Sequence, residues 1–309
     1  MRGLMGEYTG EIAALSTSIL WSLTSTFFTI AAVKVGAVVL NRMRLIIALV
    51  FLSIMHLILQ GAIFPIQASS YQLWILAISG IVGMAIGDAS LYQSFIMIGT
   101  HLGMLLMSFV PIISTIIAWI FLKENLSPIK IIAILITVSG IAMVVWGKRR
   151  HSLHIPIKKY IFGILFGIGA ALGQASGLAL SKIGIVGKSG NIHLSGISAT
   201  IIRVLSASIT IWLFTILAGR FEHTKDKLKE NPKSLWAIIA GSFVGPFLGM
   251  WCSMIAVKYA YIGIASTLMA LPPVFLLPIS HYVFKEKITI VSIVGTLIAI
   301  CGAAMIFLL

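Results

Sequence analysis

The chain contains one long stretch twice, as residues 83–143, which begin GMAIGDASLYQ, and as residues 245–305, which begin GPFLGMWCSMI. When the chain is shifted by 162 positions, identical residues align that an apolar composition would not bring together by chance. The aligned pairs are Gly83 with Gly245, Gly87 with Gly249, Pro111 with Pro273, Lys123-Glu124 with Lys285-Glu286, and Gly140 with Gly302. Leu, Ile and Val coincide easily in apolar chains, whereas Gly, Pro and a charged pair do not. We therefore interpret the two stretches as copies of a duplicated unit.

The composition is that of a membrane protein. Of the 309 residues, 59% are hydrophobic and 10% are charged, and the mean hydropathy of +1.09 lies far above that of soluble proteins. The apolar runs are about twenty residues long, which is the length that a helix needs to cross a hydrocarbon core of ~30 Å. The sequence therefore predicts an all-α integral membrane protein that lies in the lipid bilayer.

We predict ten transmembrane helices in two halves of five. The predicted spans are residues 11–33, 38–60, 72–94, 101–122 and 127–147 in the first half, and 159–182, 195–218, 234–257, 262–284 and 287–309 in the second. The first repeat thus covers residues 11–147 and the second covers residues 159–309. Because each repeat has an odd number of spans, the second copy enters the membrane from the opposite side. The predicted fold is an inverted repeat with a pseudo-twofold axis in the membrane plane.

The remaining segments carry most of the charge. The linker 148–158 and the polar segment 220–233 are predicted to be surface loops. The net charge of +14 does not indicate nucleic-acid binding, since the Lys and Arg residues sit in short segments between apolar runs. Cys252 and Cys301 fall inside apolar helices, so we expect packing residues and neither a disulfide nor a metal site. The apolar run to Val33 is too long for a signal-peptide core and is taken as the first span.

These features resemble one transporter family over essentially the whole chain. In both halves a proline, Pro111 or Pro273, precedes a Lys-Glu pair by twelve residues at the end of the fourth or ninth span. With ten spans in two halves of five, the chain resembles the EamA family of the drug/metabolite transporter superfamily. The resemblance implies a carrier for small metabolites, amino acids or drugs that works by alternating access and exports its substrate. We expect a multi-pass protein of the plasma membrane that functions as a monomer and uses no cofactor.

Two arguments about membrane orientation disagree. The side of the chain termini holds six cations, Arg2, Lys123, Lys130, Lys182, Lys188 and Lys258. The opposite side holds thirteen: Lys34, Lys148, Arg149, Arg150, Lys158, Lys159, Arg220, Lys225, Lys227, Lys229, Lys233, Lys285 and Lys287. The positive-inside rule therefore places both termini outside the cell, whereas resemblance to the family implies both termini inside. We prefer the charge argument, because it rests on this chain.

Asp88 is the one acidic residue well inside an apolar span. A carboxylate at mid-bilayer costs a few kcal/mol, so we expect it to face a cavity or a cation and to bind substrate or a proton. The alternative is an aspartate that only links helices near the membrane edge. In the repeat its position is matched by Met250, so any function of Asp88 is asymmetric.

Other residues are candidates for the transport pathway. Spans one, three, six and eight carry aromatic and amide side chains, which suit a small organic solute. These candidates are Trp21, Tyr92, Gln93, Gln174 and Trp251, and the alternative for each is a position at the membrane interface or facing lipid. Pro111 and Pro273 interrupt spans four and nine, and breaks at matching positions indicate a binding site or a hinge, with a merely kinked packing helix as the alternative.

Two pairs of charged residues also match between the halves. Arg44 and Arg203 lie near the starts of the second and seventh spans, and the simplest expectation is that both reach to lipid headgroups. The alternative is an anion contact in the transport vestibule. Glu124 and Glu286 lie where spans four and nine leave the membrane. Each is expected to cap the following helix or to pair across the short turn.

The leading hypothesis is a secondary carrier driven by the solute gradient or by protons. The chain has no Gly-Lys-Ser/Thr phosphate-binding motif, so we do not expect ATP hydrolysis. An intramembrane hydrolase would need paired acids, a serine with a base or a zinc cluster. The buried Asp has no partner acid and the chain has no His-Glu-x-x-His motif, which disfavours this alternative. A translocase for lipids or lipid-linked sugars remains open, because its distinguishing sideways opening is not visible in a sequence.

Overall fold

The computed structural model describes residues 8–147, 156–187, 194–284 and 288–308, which form helices and no strand. The α-helices are α1 (Thr9–Val35), α2 (Ala37–Gln60), α3 (Ser70–Gly80), α4 (Asp88–Met107), α5 (Val110–Leu122), α6 (Pro128–Gly147), α7 (Ile157–Val186), α8 (Gly196–Leu217), α9 (Phe221–Glu230), α10 (Ser234–Ser242), α11 (Met250–Tyr259), α12 (Ile262–Met269), α13 (Pro272–Phe284) and α14 (Ile290–Leu308). Two π-helices, π1 (Ile81–Gly87) and π2 (Phe243–Gly249), join α3 to α4 and α10 to α11.

Within the described residues, ten stretches are long and apolar enough to cross a membrane, as the sequence predicted. In chain order they are numbered spans 1 to 10: Thr9–Val35, Val38–Gln60, Ser70–Ile98, Leu102–Leu122, Pro128–Trp146, Ile157–Val186, Gly196–Leu217, Ser234–Tyr259, Ile262–Ile279 and Ile290–Leu308. Their boundaries agree closely with the predicted ones. The all-α fold of ten transmembrane helices in two inverted repeats is confirmed.

Spans 3 and 4 meet within α4, which is assigned as one helix from its backbone hydrogen bonds. The chain nevertheless reverses direction between these two spans. A Cβ added to Gly167 would lie 3.0 Å from Ser94 Oγ and 2.3 Å from Leu106 Cδ1, so these two residues lie side by side. On a straight helix, twelve positions would separate them by about 18 Å. The chain therefore changes direction between Ser94 and Leu106.

The halves interlock through their first and third spans. Span 1 packs along span 8, where a Cβ on Gly245 would lie 2.4 Å from Thr24 Oγ1. Span 6 packs along span 3, where a Cβ on Gly177 would lie 2.9 Å from the Cα of Gly83. Gly83 and Gly245 are repeat mates. Thr24 and Gly177 are repeat mates as well, because they are as far apart in the sequence as Trp21 and Gln174. The same contact is therefore made twice, as a twofold relation between the halves requires.

The two π-helices occupy matching positions, since residues 81–87 and 243–249 differ by the repeat offset of 162. A π-helical turn contains more residues than an α-helical turn, so it rotates the residues that follow it around the helix axis. π-helices are rare and are frequent at functional sites. Here they end directly before Asp88 and Met250, and so determine which way these side chains face.

Spans 5 and 10 form a second close contact between the halves. A Cβ on Gly140 would lie 2.3 Å from the backbone nitrogen of Ala299, and one on Gly302 would lie 2.4 Å from Thr137 Oγ1. Such close approach needs residues without large side chains, which is the usual device for packing helices in lipid. The outer faces are apolar: Trp119 is 62% exposed and is suited to contact with acyl chains.

Two expectations about peripheral features are wrong. The segment 220–233, predicted to be a loop, contains the helix α9 (Phe221–Glu230), and Arg42 Nη1 of span 2 donates to Thr224 Oγ1 at 2.7 Å. The sequence conceals this helix because it is charged and lacks the apolar length of a span. Cys301 is exposed on the surface of span 10 and does not act as a packing residue, whereas Cys252 is half-buried.

Candidate functional site

A cavity of about 510 Å³ lies between the two halves. Spans 1, 2 and 3 of the first half and spans 6, 7 and 8 of the second half form its walls. Four aromatic side chains contribute to the lining, namely Trp21, Phe28, Tyr92 and Phe95. The volume falls within the range of about 300–1,000 Å³ that is usual for small-molecule sites.

The cavity runs from the middle of the spans toward one end of the molecule. Its lining residues on span 1 extend from Trp21 to Ala32, close to the end of that helix at Val35. Leu40 and Arg44 add the first two turns of span 2. We call this the open end, and the topology also places α9 and Pro156 there.

The opposite, closed end is held together by Glu124. Its Oε1 lies 2.5 Å from Lys182 Nζ, and its Oε2 accepts a hydrogen bond of 2.8 Å from the backbone N–H of Ile262. Lys182 Nζ also donates to the carbonyl oxygen of Ala260 at 2.6 Å, and a Cβ on Gly10 would lie 2.5 Å from the nitrogen of Ala260. Glu124 therefore joins the first half to the second, and the predicted pairing within its own turn is wrong. Glu286 lies outside the described residues.

Asp88 lies in a network of hydrogen bonds on the cavity wall. Arg44 Nη2 forms an ion pair with Asp88 Oδ2, and Gln174 Nε2 donates to Asp88 Oδ1 at 2.9 Å. Arg44 Nε in turn donates to Asn41 Oδ1 at 2.7 Å. The network connects spans 2, 3 and 6 and thereby joins the two halves, since Gln174 belongs to the second.

This pairing explains how a carboxylate is tolerated inside a span. An unpaired Asp, Lys or Arg at the centre of a membrane helix costs about 2.5–3.5 kcal/mol on insertion scales, and pairing offsets part of that cost. Both oxygens of Asp88 are engaged by side chains of the protein. The expectation that Arg44 and Arg203 reach lipid headgroups is wrong, because both side chains line the cavity. Each span turns its arginine inward, where Arg44 pairs with Asp88 and Arg203 donates to Met254 Sδ.

Arg203 is the repeat mate of Arg44 but has different surroundings. The residue is buried, with 7% of its surface exposed, and it lines the cavity. Its Nη1 donates to Met254 Sδ at 3.1 Å, and its Nε has no hydrogen-bond partner. A thioether sulfur is a weak acceptor. The position that corresponds to Asp88 is occupied here by Met250, so Arg203 has no counterpart of the carboxylate that pairs with Arg44.

A second cavity of about 310 Å³ adjoins the first. The two share four lining residues, Trp21, Ser25, Gln174 and Leu178. Spans 4, 5 and 9 complete the second one, which contains no charged side chain and is lined by Met104, Met107, Met269, Pro272 and Pro273 among others. We call it the methionine chamber. Flexible, polarisable methionine side chains adapt to varied apolar ligands.

The structure brings together five of the eight predicted pathway residues. Trp21, Asp88, Tyr92 and Gln174 line the first cavity, and Pro273 lines the methionine chamber together with Trp21 and Gln174. That they bind substrate stays a prediction.

Gln93, Trp251 and Pro111 lie outside the walls of both cavities. Gln93 follows Tyr92 by one position, which is about 100° around the helix. The ring of Trp251 packs against Phe247 at 6.1 Å. Pro111 is buried in α5, where its carbonyl oxygen accepts the hydroxyl groups of Ser114 and Thr115. The contribution of Arg203 to the site could have been recognised from its match with Arg44, which marks both arginines as part of the repeated design.

The side chains of the cavity wall offer charged, amide and aromatic contacts to a ligand. Among the described residues, no group of three or more His, Cys, Asp or Glu side chains could hold a metal ion. A central cavity between two inverted halves, walled by aromatic and charged side chains, is typical of a membrane transporter. The sequence model of the EamA-like transporter family matches residues 8–146 and 161–308. The chain therefore belongs to this family, and so to the drug/metabolite transporter superfamily.

Two other comparisons with known proteins give information about the fold of the chain and none about its substrate. A search of curated proteins finds no match to this chain. One solved structure, whose title says only that it is the crystal structure of a protein, superposes with a TM-score of 0.75 at 15% identity. The superposition covers 97% of this chain and 96% of the other. At that identity the likeness supports the ten-helix architecture alone.

Proposed function

We propose that the protein is a secondary carrier that exports a small organic solute across the plasma membrane by alternating access and functions as a monomer. The observation that carries this proposal is the cavity between the halves, which is open toward one end and closed at the other. Each half is one five-helix repeat, residues 11–147 and 159–309. Because the repeats are inverted, exchanging their conformations would close the open end and open the closed one.

The closed end supplies the contacts that must break in this cycle. Glu124, Lys182 and Ile262 form a compact polar link between the halves, and Gly10 packs on Ala260 beside it. Separation of the halves here would break the ion pair and the hydrogen bond of Glu124, and the two states must differ by only a few kcal/mol for both to be populated. Rocking of spans 1 and 6 against spans 8 and 3 would separate them.

If protons and not the solute gradient drive transport, the coupling would act through Asp88. It is the carboxylate among the described residues of the cavity wall, and its protonation would release Arg44 from the ion pair. A proton on Asp88 would thus change the charge and the helix contacts of the same site.

The function is tested by comparing solutes in cells that produce the wild-type protein or a blocked variant. Ser25 borders both cavities, so Ser25→Trp should fill the passage and abolish any protein-dependent change in intracellular and extracellular solutes. Ile19→Trp is the matched control, because Ile19 is on the same helix and is 45% exposed toward lipid. Identical solute profiles with and without the wild-type protein, at equal membrane levels, would refute the carrier proposal.

A further inference from the structure

The cavity contains two matched arginines but a single carboxylate. Arg44 and Arg203 are repeat mates, and both line the cavity. Asp88 neutralises Arg44 and is in turn held by Gln174, so both of its oxygens are occupied. The position that would neutralise Arg203 in the same way carries Met250, whose side chain also lines the cavity. The inverted symmetry of the fold is thus broken at one charge.

The charge balance of the described cavity wall follows from these residues. Its charged side chains are Arg44, Arg203 and Asp88, which together carry a net charge of +1. Arginine stays protonated under all ordinary conditions, so this excess does not disappear by loss of a proton. The methionine chamber adds no charge. In a space with low-dielectric walls, an uncompensated cation attracts an anion strongly.

The guanidinium of Arg203 has donor groups that the described neighbours leave without an oxygen acceptor. The residue is more than nine-tenths buried, its Nε has no acceptor, and Nη1 donates only to the sulfur of Met254. Buried guanidinium groups in proteins normally donate to several oxygen atoms. The planar fork of donors that arginine presents fits the two oxygens of a carboxylate, or of a phosphoryl or sulfonyl group.

We propose that the substrate is a small organic anion with an apolar body, whose acidic group binds Arg203 and whose body enters the methionine chamber. This rests on the proposed carrier function and specifies its substrate class. Trp21 and Gln174 border both cavities, so one ligand can contact Arg203 on one side and the methionines on the other. Asp88 does not bind substrate in this proposal; it keeps Arg44 neutralised so that a single anion suffices.

Three probes of the same size test the proposal: 3-phenylpropionate, 3-phenylpropanol and 3-phenylpropylamine, with the hexyl acid, alcohol and amine as a second set. Thermal unfolding of the purified protein is followed by tryptophan fluorescence in detergent with neutral headgroups. A ligand that binds the folded state raises the melting temperature. We expect the acids to raise it, and the alcohols and amines not to. Equal shifts within each set, a shift with the amines alone, or no shift with any acid would overturn the proposal.

Variants at Arg203 identify the group that binds the acid. Arg203→Gln should weaken the apparent affinity for the acids by about 10- to 100-fold, the value of one charge-assisted contact. Arg203→Lys keeps the charge without the planar fork, so its affinity for the acids should lie between those of the wild type and Arg203→Gln. Undiminished acid binding in a folded Arg203→Gln protein would place the anion elsewhere and contradict the assignment.

A carboxylate inserted by design provides an independent test. Met250→Asp places an acid at the repeat mate of Asp88, where the twofold relation brings it to Arg203 as Asp88 is brought to Arg44. This internal anion should raise the melting temperature without ligand and abolish the shift caused by the acids. Met250→Asn, of the same size but uncharged, should do neither. Acid binding that survives in Met250→Asp would refute the proposed site.

Proteoliposomes of phosphatidylcholine alone separate this proposal from the carrier function. Faster release of loaded 3-phenylpropionate than from protein-free vesicles supports both the carrier function and the anion proposal. Faster release of 3-phenylpropylamine alone supports the carrier function and overturns the anion proposal. If phosphatidylglycerol raises the melting temperature and no acid does, the anion comes from a lipid headgroup, and the proposed solute class is wrong.

Discussion

At the scale of single residues, the environment of each charged group decides what it can do. Asp88 was expected from the sequence to bind substrate or a proton, or else to link helices. Its two oxygens are occupied by Arg44 and Gln174, which makes linkage of the halves its direct role in this state. Arg203 is the repeat mate of Arg44, but among the described residues its guanidinium forms no hydrogen bond with a carboxylate, and in the proposal above it binds the substrate.

Asp88→Asn should lower the thermal stability of the protein. Removing one partner of a buried ion pair typically costs about 3–5 kcal/mol, because the other charge stays behind unpaired. The double variant Arg44→Gln/Asp88→Asn should recover part of this loss, since it removes both charges. Melting temperatures of the wild type, both single variants and the double variant form the complete cycle. Additive losses, without recovery in the double variant, would show that the pair contributes no coupling.

At the scale of helices, the glycines of the repeat allow the close contacts between halves. Gly83 lies against Gly177, Gly245 lies against Thr24, and Gly140 lies against Ala299. In lipid the hydrophobic effect does not drive helices together, so close van der Waals packing takes a larger share of the association. The matching glycines of the sequence therefore mark the positions where the two inverted copies meet.

Gly140→Ala should destabilise the contact of spans 5 and 10, because the new Cβ would lie 2.3 Å from the backbone nitrogen of Ala299. Overpacking of this kind typically costs about 1–3 kcal/mol. Gly169→Ala is the matched control in a span, since a Cβ there meets no atom within 4 Å, and alanine favours the helix by about 0.5–1 kcal/mol. Thermal unfolding compares the two. A Gly140→Ala protein as stable as the wild type would mean that these helices separate easily.

At the scale of the whole molecule, inversion of the halves places the open end of the cavity on the side of Pro156 and α9. The charge distribution predicts that this side is cytoplasmic, and the family resemblance predicts the opposite. In the first orientation the cavity faces the cell interior, where an exporter takes up its substrate. In the second orientation it faces the release side.

Single cysteines decide between these orientations. In a background with Cys252→Ala and Cys301→Ala, cysteines at Pro156 and His223 should share one face, and a cysteine at Gln67 should lie on the other. If the charge rule holds, an impermeant maleimide labels only the Gln67 position in intact cells. The reverse pattern would overturn this orientation and leave the fold intact. Labelling of positions 156 and 223 from different faces would contradict the inverted topology itself.

The sequence by itself determined the class of protein, its ten spans and the inverted relation of its halves. These properties are local or periodic: hydrocarbon requires each crossing segment to satisfy its own backbone hydrogen bonds, so the apolar runs fix the helices. The duplicated glycines and prolines then fix the relation of the halves.

Only the tertiary structure decided which polar side chains meet. Asp88 is 44 positions from Arg44 and 86 from Gln174, and their contact depends on how three helices are rotated and packed. The π-helices shift that rotation in a way that apolar periodicity does not reveal, so Asp88 and Tyr92 face the cavity while Gln93 does not. That Arg203, among the described residues, donates to a thioether and leaves Nε without an acceptor is likewise a property of the fold, because the packing of the helices decides which groups meet.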